Sequence, residues 1–101
     1  MRHTVGMLDP VDGLGEIAAQ GCRYFKIKLG GGALAADVRI VREVRGIIGD
    51  QTRLMVDYNQ SLSAPEAIRR LQALAPYDLA WVEEPVPAED LIGHAAVRAS
   101  R

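Results

Sequence analysis

The sequence predicts an α/β fold in which parallel strands alternate with helices. Three short apolar runs, each ending in polar residues, predict buried strands at residues 24–29, 54–59 and 79–84. Helical patterns separate the runs, so the polar strand ends recur once per β/α unit. This repeat fits either an open doubly wound sheet or a barrel, and polar side chains at successive strand ends favour the carboxyl-terminal face of a barrel.

The first two helices are predicted from their boundary residues, after a short strand expected at residues 4–7. Asp9 and Pro10 suit the N-cap and the first position of a helix that Gly21 would end. The second helix should stop at Gly49. Its apolar strip recurs at helical spacing through Leu34, Val38, Val41, Val44 or Arg45, and Ile48.

The third and fourth helices follow the second and third strands. Residues 63–66 form a capping box with a proline inside it, which predicts a helix start. The apolar positions of this helix are Ile68, Leu71 and Leu74, before Pro76. A fourth helix should start near Pro87.

Composition indicates an ordinary globular domain, since 49% of the residues are hydrophobic, 25% are charged and the formal net charge is -1. We therefore expect no nucleic-acid or membrane partner. The start carries no leader-like pattern, which predicts a cytoplasmic protein. The single cysteine, Cys22, is interpreted as a small buried hydrophobic residue.

Length sets a further expectation, because a complete (β/α)8 barrel needs about 250 residues and this chain has 101. We expect residues 1–101 to form one partial barrel domain of about three β/α units. Such a piece would leave sheet edges and helix faces uncovered.

Two lysines are the first candidate site residues. Residues two apart in a strand share a face, so Lys26 and Lys28 project together, opposite to Phe25 and Ile27. On the buried side of the sheet a lysine can serve as a base. Alternatively, both extend to solvent at a sheet edge.

Carboxylates end the next two strands. Asp57 and Asn59 share one face, and Glu83 rather than Glu84 should face the same side. Carboxylate oxygens from neighbouring strand ends suit a hard cation such as Mg²⁺. The alternative is that Asp57 caps the following turn and the glutamates are solvated.

Other chemical candidates are weaker. The glycine run at residues 30–32 lacks the pattern of a phosphate-binding loop and is interpreted as a flexible loop. His3 and His94 are not expected to be catalytic. Trp81 is expected to pack inside the sheet layer or, less favoured by the pattern, to contact substrate.

Three motifs together resemble a known family. The segments FKIKLG at residues 25–30, VDYNQ at residues 56–60 and WVEEP at residues 81–85 resemble strands 2, 3 and 4 of the mandelate racemase/muconate lactonizing enzyme family. This family belongs to the enolase superfamily. The resemblance, with Gly49 and Asp50 preceding the second motif, covers about residues 4 to 101 and implies a TIM-like (β/α)7β barrel.

The resemblance also implies a chemistry. Members of the family abstract the proton α to a carboxylate, and Mg²⁺ stabilises the enediolate intermediate. Carried over to this chain, Lys28 is the general base and Lys26 neutralises the substrate carboxylate. Asp57 and Glu83 are two of three metal ligands, and Asn59 contacts substrate or orders the metal shell.

The resemblance further implies residues that this sequence does not contain. These are the third metal ligand, the acid/base residues of the later strands and an amino-terminal capping domain. We therefore expect the full-length enzyme to be a lyase or isomerase, a homo-oligomer acting on an acid sugar, hydroxy acid or dipeptide, and this chain alone to be inactive. The alternative is a non-catalytic truncated remnant that folds only by self-assembly or with a partner chain.

Overall fold

The computed structural model describes residues 2–6, 13–87 and 89–99. Four parallel strands form one sheet in the order β1-β2-β3-β4, so neighbours in the sheet are also successive along the chain. The elements are β1 Arg2–Val5, α1 Leu14–Ala19, β2 Tyr24–Lys28, α2 Leu34–Ile48, β3 Arg53–Asp57, α3 Ala64–Leu74, a 3-10 turn Ala75–Tyr77, β4 Leu79–Glu83 and α4 Leu91–Ala99. The predicted parallel β/α repeat is confirmed.

The core lies on one face of the sheet, as the period-two pattern requires. Phe25 and Ile27 of β2 are completely buried, whereas Tyr24, whose side chain points to the opposite face, is 43% exposed. The buried cluster also includes Val41 and Val44 of α2. Helices therefore cover the apolar face, and the opposite face is left to carry polar side chains at the strand ends.

Helix boundaries follow local capping chemistry. The hydroxyl of Ser63 accepts a hydrogen bond from the backbone N–H of Glu66, which starts α3 as predicted. Gly49, with φ 80°, ends α2, also as predicted. The predicted N-cap and first position of the first helix, Asp9 and Pro10, lie outside the described residues.

The strands end earlier than the sequence pattern predicts. Each was expected to continue past Lys28, Asp57 and Glu83, where the structure ends them. The cause is left-handed backbone just beyond two of these ends, at Asn59 (φ 51°) and Glu84 (φ 45°), because such residues cannot continue a strand.

The last helix begins after Pro87, its predicted start. The Asp90 carboxylate accepts a hydrogen bond from the Gly93 N–H at 2.8 Å, so α4 begins at Leu91. Cys22 is completely buried, as expected of a small hydrophobic residue. Among the described residues there is no helix of sufficient length and apolar character to cross a membrane.

Arg45 joins two loops at the amino edge of the sheet. Its guanidinium donates to the carbonyl oxygens of Gly49, Thr52, Tyr77 and Asp78 at 2.8 to 3.0 Å. These carbonyls precede β3 and β4, so one side chain sets where both strands enter the sheet. The chemical residues lie at the other edge.

Candidate active site

The predicted site residues meet at the carboxyl edge of the sheet. Lys28 and Asp57 are register partners between β2 and β3, and Asp57 and Glu83 are register partners between β3 and β4. Lys26 lies one step back on the same face of β2. The strand register therefore places two lysines and two carboxylates side by side.

Lys26 lies between the two carboxylates. Its Nζ is 3.3 Å from Oε2 of Glu83 and 3.9 Å from Oδ2 of Asp57. The Lys26 side chain is 15% exposed, so this ammonium has lost most of its water and depends on the two acids for compensation. The alternative in which both lysines extend to solvent is therefore wrong for Lys26, whereas the Lys28 side chain is exposed.

Asp57 divides its two oxygens between the site and the backbone. Oδ1 accepts a hydrogen bond from the Asn59 N–H at 2.9 Å, and Oδ2 faces Lys26. Asp57 thus caps the turn that follows β3, which was the alternative predicted from the sequence, and its Oδ2 also presents charge to the site. Because Oδ1 is held by the turn, the orientation of Oδ2 is restricted.

Glu83 is the glutamate that faces Lys26. Its Oε2 contacts the ammonium, and its Oε1 accepts a hydrogen bond from Trp81 Nε1 at 3.3 Å. Trp81 is 50% exposed in this structure, so it is not enclosed in a packing layer of the described residues. Glu84 follows with a left-handed backbone that ends the strand.

Lys28 and Asn59 have exposed side chains at the same edge. Asn59 has φ 51°, a region that asparagine enters more readily than most residues. Lys28 ends β2 directly beside Asp57. Both side chains are thus accessible to a small molecule above the strand ends.

The donor set is suited to part of a hard-cation site. Asp57 and Glu83 supply oxygen ligands of the kind that Mg²⁺ prefers. Within residues 2–6, 13–87 and 89–99, no group of three or more His, Cys, Asp or Glu side chains is arranged to hold a metal ion. The two carboxylates therefore fit as a partial ligand set that needs further oxygen donors.

A buried polar network on the other face of the sheet was not predicted. Tyr58 donates its hydroxyl hydrogen to Oδ2 of Asp37 at 2.9 Å, and Arg70 donates to the same oxygen at 2.8 Å. Burial raises the pKa of the Tyr58 hydroxyl well above its usual range, and the Asp37 carboxylate raises it further, so Tyr58 remains a donor. The available signal was Asp37 itself, a carboxylate three residues after Leu34 on the apolar strip of α2.

The glycine run after β2 is held in place rather than only flexible. Gly30 has φ 107°, and a Cβ at this position would overlap Oγ of Ser61 and lie 3.1 Å from the carbonyl oxygen of Tyr58. Gly32 accepts a hydrogen bond from Arg70 at 3.0 Å through its carbonyl. Glycine suits position 30 because φ is positive there and because the Ser61 side chain and the Tyr58 carbonyl oxygen leave little space for a Cβ.

Fold and site together define a class, that of (β/α) barrel proteins with acid and lysine side chains at the carboxyl ends of their strands. Comparison with known proteins identifies the family. Residues 11–101 match the family described as "Enolase C-terminal domain-like". The chain belongs to this family, within the enolase and mandelate racemase superfamily.

Individual relatives are similar over most of this chain. The 3,6-anhydro-alpha-L-galactonate cycloisomerase of Streptomyces coelicolor is 44% identical over 79 residues, which are 78% of this chain and 22% of that protein. A crystal structure of an enolase from Bradyrhizobium, complexed with magnesium and mandelic acid, is 44% identical with a TM-score of 0.87, covering 98% of this chain and 28% of that one. The L-talarate dehydratase from Polaromonas, complexed with Mg and L-glucarate, is 34% identical with a TM-score of 0.83 over 98% of this chain and 30% of that one.

Related full-length proteins are enzymes. They include dehydratases, cycloisomerases, a racemase and a dipeptide epimerase. The chain spans 18% and 22% of the length of the first two curated relatives that it matches. The similarity therefore concerns one part of such enzymes, the part that carries the strand ends described above.

Proposed function

We propose that this chain forms part of a Mg²⁺-dependent enzyme that removes the proton α to the carboxylate of a small organic acid. One observation carries the proposal: the Lys26 ammonium lies between the carboxylates of Asp57 and Glu83, and Lys28 stands beside them at the carboxyl edge of the sheet. Relatives in this family include racemases, dehydratases, cycloisomerases and epimerases, which supports the same chemical class.

The two lysines have different proposed roles. Lys28 has an accessible side chain at the strand end and acts as the general base that takes the α-proton. Lys26 is largely buried beside two acids and neutralises the substrate carboxylate. The two roles need both lysines on one face, which their spacing in β2 provides.

Asp57 and Glu83 would hold the metal ion. The bound cation would supply positive charge next to the substrate carboxylate and so favour the charge that develops when the proton leaves. Asp57 is well suited to the role because the Asn59 N–H fixes one of its oxygens at 2.9 Å. The exposed Asn59 side chain would contact the substrate or order the metal shell.

The proposed substrate is a small carboxylate such as a hydroxy acid, an acid sugar or a dipeptide. Solved neighbours hold mandelic acid and L-glucarate together with magnesium. Racemisation, epimerisation, dehydration and cycloisomerisation all begin with the same proton removal. The proposal therefore applies to the shared first step, in a homo-oligomeric full-length enzyme.

Metal binding is tested with Mn²⁺ as a paramagnetic substitute for Mg²⁺. In the intact natural protein, Asp57→Asn should weaken Mn²⁺ affinity in an electron paramagnetic resonance titration by more than about tenfold, since even supporting residues contribute about 10–100-fold. Asp50→Asn is the matched control, because Asp50 is exposed at the opposite end of β3. Equal Mn²⁺ affinities of the two variants would refute the assignment of Asp57.

Proton removal is tested by isotope exchange. Mandelate and L-glucarate in D2O should lose their α-proton signal in the presence of the intact natural protein, and Lys28→Met should slow this exchange by about 10²–10⁴-fold. Arg42→Met, which removes an exposed cation on α2, is the control and should exchange at the wild-type rate. Undiminished exchange in Lys28→Met would rule out Lys28 as the base.

A non-catalytic remnant is the second candidate, favoured by uncovered apolar surface beside β4. Trp81 is 50% exposed, and a cavity of about 360 Å³ opens between Leu71, Leu74, Leu79 and Val82. The intact mass of the natural protein decides between the candidates. A mass several times 11.0 kDa supports the enzyme, whereas a mass of 11.0 kDa with a uniform oligomer and no α-proton exchange supports the remnant.

A further inference from the structure

The buried network of Tyr58, Asp37 and Arg70 lies directly behind the candidate active site. Tyr58 stands between Asp57 and Asn59 in the sequence, and its side chain points to the helix face, where it is completely buried. Asp37, on α2, is also completely buried. The network therefore cannot touch a substrate at the carboxyl edge, but it is covalently continuous with the residues that can.

Arg70 connects three separate parts of the fold. From α3 its guanidinium reaches Asp37 on α2 at 2.8 Å, the carbonyl of Gly32 in the loop after β2 at 3.0 Å, and Glu66 one turn earlier at 2.8 Å. Its side chain is 11% exposed. One side chain thus links the loop that follows Lys28 to both helices behind it.

The two loops at the site also contact each other. The Leu29 N–H donates to the Asp57 carbonyl at 2.8 Å, and the approach of Gly30 to Ser61 leaves no space for a Cβ. The loop after β2 is therefore held by Arg70 from below and by the turn after β3 from the side. The turn after β3 is itself anchored to α2 through the hydrogen bond from the Tyr58 hydroxyl to Asp37.

The chemistry of this network favours orientation over stability. Removing a carboxylate and a guanidinium from water is costly, and apolar residues of similar volume in their place often give a fold that is equally stable or more stable. Oδ2 of Asp37 accepts both hydrogen bonds, while Oδ1 has no partner among the described residues. Directional bonds converging on one oxygen specify a single arrangement of Tyr58 and Arg70.

We propose that Tyr58, Asp37 and Arg70 are positioning residues that set the turn carrying Asp57 and Asn59 and the loop that follows Lys28. This inference rests on the proposed function, because it assigns these residues to the alignment of that site. The expected signature is a loss of turnover without loss of the fold. Substrate binding should change less, since none of the three residues faces the substrate.

The test compares Tyr58→Phe with Tyr24→Phe in the intact natural protein. Both variants lose one hydroxyl, but Tyr24 is 43% exposed on β2 and lies outside the network. Tyr58→Phe should lower kcat for α-proton exchange by about 10–100-fold, as supporting residues of a site do, with KM changed less than threefold. Arg70→Lys, which keeps the charge but not the planar fork, should show a smaller loss of kcat.

The positioning role has a readout that does not depend on activity. In ¹H–¹⁵N NMR spectra, Tyr58→Phe should shift the amides of Gly30 and Gly32, which are far from position 58 in the sequence, whereas Tyr24→Phe should leave them in place. If Lys28→Met retains exchange, the proposed function fails, and these amide shifts still decide whether the network positions the loops. The inference would be overturned if Tyr58→Phe had the kcat of the wild type and unshifted amides. If Tyr58→Phe does not fold, kcat and the same amides are measured in Arg70→Lys instead.

Discussion

Replacing Lys26 with methionine should destabilise the fold by leaving two carboxylates without their shared cation. The change keeps the unbranched apolar stem of the side chain but removes the ammonium. Oε2 of Glu83, 3.3 Å from Nζ, and Oδ2 of Asp57, 3.9 Å from it, would then face each other across adjacent strands. Like charges directly opposite on a sheet are destabilising.

The magnitude follows from the exposure of the three groups. Exposed ion pairs contribute about 0–1 kcal/mol, and removing one partner of a fully buried pair costs about 3–5 kcal/mol. The side chains of Lys26, Asp57 and Glu83 are 15%, 9% and 29% exposed, so the cluster lies between these limits. We expect a loss of about 2 kcal/mol in the free energy of unfolding, or a decrease of about 10 °C in Tm.

Urea unfolding followed by circular dichroism measures this loss, with Arg69→Met as the matched control. The Arg69–Glu66 pair has nearly the same separation, 3.4 Å, but Arg69 is 64% exposed, and its removal should cost less than about 0.5 kcal/mol. In the double variant Lys26→Met/Glu83→Gln, about 1 kcal/mol should return because one of the two facing charges is gone. The reasoning is refuted if Lys26→Met costs no more than Arg69→Met, or if Glu83→Gln adds to the loss.

Two further predictions concern the loop after β2 and the acid stability of α3. Gly30→Ala should lower the free energy of unfolding by about 3 kcal/mol, since the left-handed φ costs about 1–2 kcal/mol and the overlap with Ser61 adds about 1–3 kcal/mol. Gly49 also has a positive φ but has open space around it, so Gly49→Ala should lose only the amount due to φ. Equal urea midpoints for the two variants would contradict this. The hydrogen bond from Arg70 holds the pKa of Glu66 below its usual range, so this stabilisation is fully present above that range and is lost as the pH falls through the lower, folded-state pKa. The difference in Tm between wild type and Glu66→Gln should therefore narrow between pH 6 and pH 3, and a constant difference would contradict the assignment.

Local signals predicted the elements well because they depend on neighbours in the chain. The capping box at Ser63 and the glycine at position 49 set helix boundaries through hydrogen bonds and backbone angles only a few residues apart. The period-two alternation in β2 correctly separated Phe25 and Ile27 from the lysines. The earlier strand ends were missed because the apolar runs do not show that Glu84 adopts left-handed backbone, and the tendency of asparagine to do so at position 59 is a weak signal.

Long-range contacts explain what the sequence pattern missed. Whether Lys26 contacts Glu83 depends on the register of three strands, since the two residues are 57 positions apart. Arg70 and Asp37 meet only because α2 and α3 pack on the same face of the sheet. No pattern within a single helix predicts such a pair.

The sequence alone therefore determined the parallel β/α order, the face on which the lysines and carboxylates lie and the resemblance to the mandelate racemase family, because each follows from short-range periodicity or from motifs in a fixed order. Only the tertiary structure decided that Lys26 lies between Asp57 and Glu83, that Gly30 closes against Ser61, and that Tyr58 is anchored from behind. The physical reason is that strand register and helix packing decide which residues far apart in the chain come into contact, and short-range sequence patterns do not contain that information.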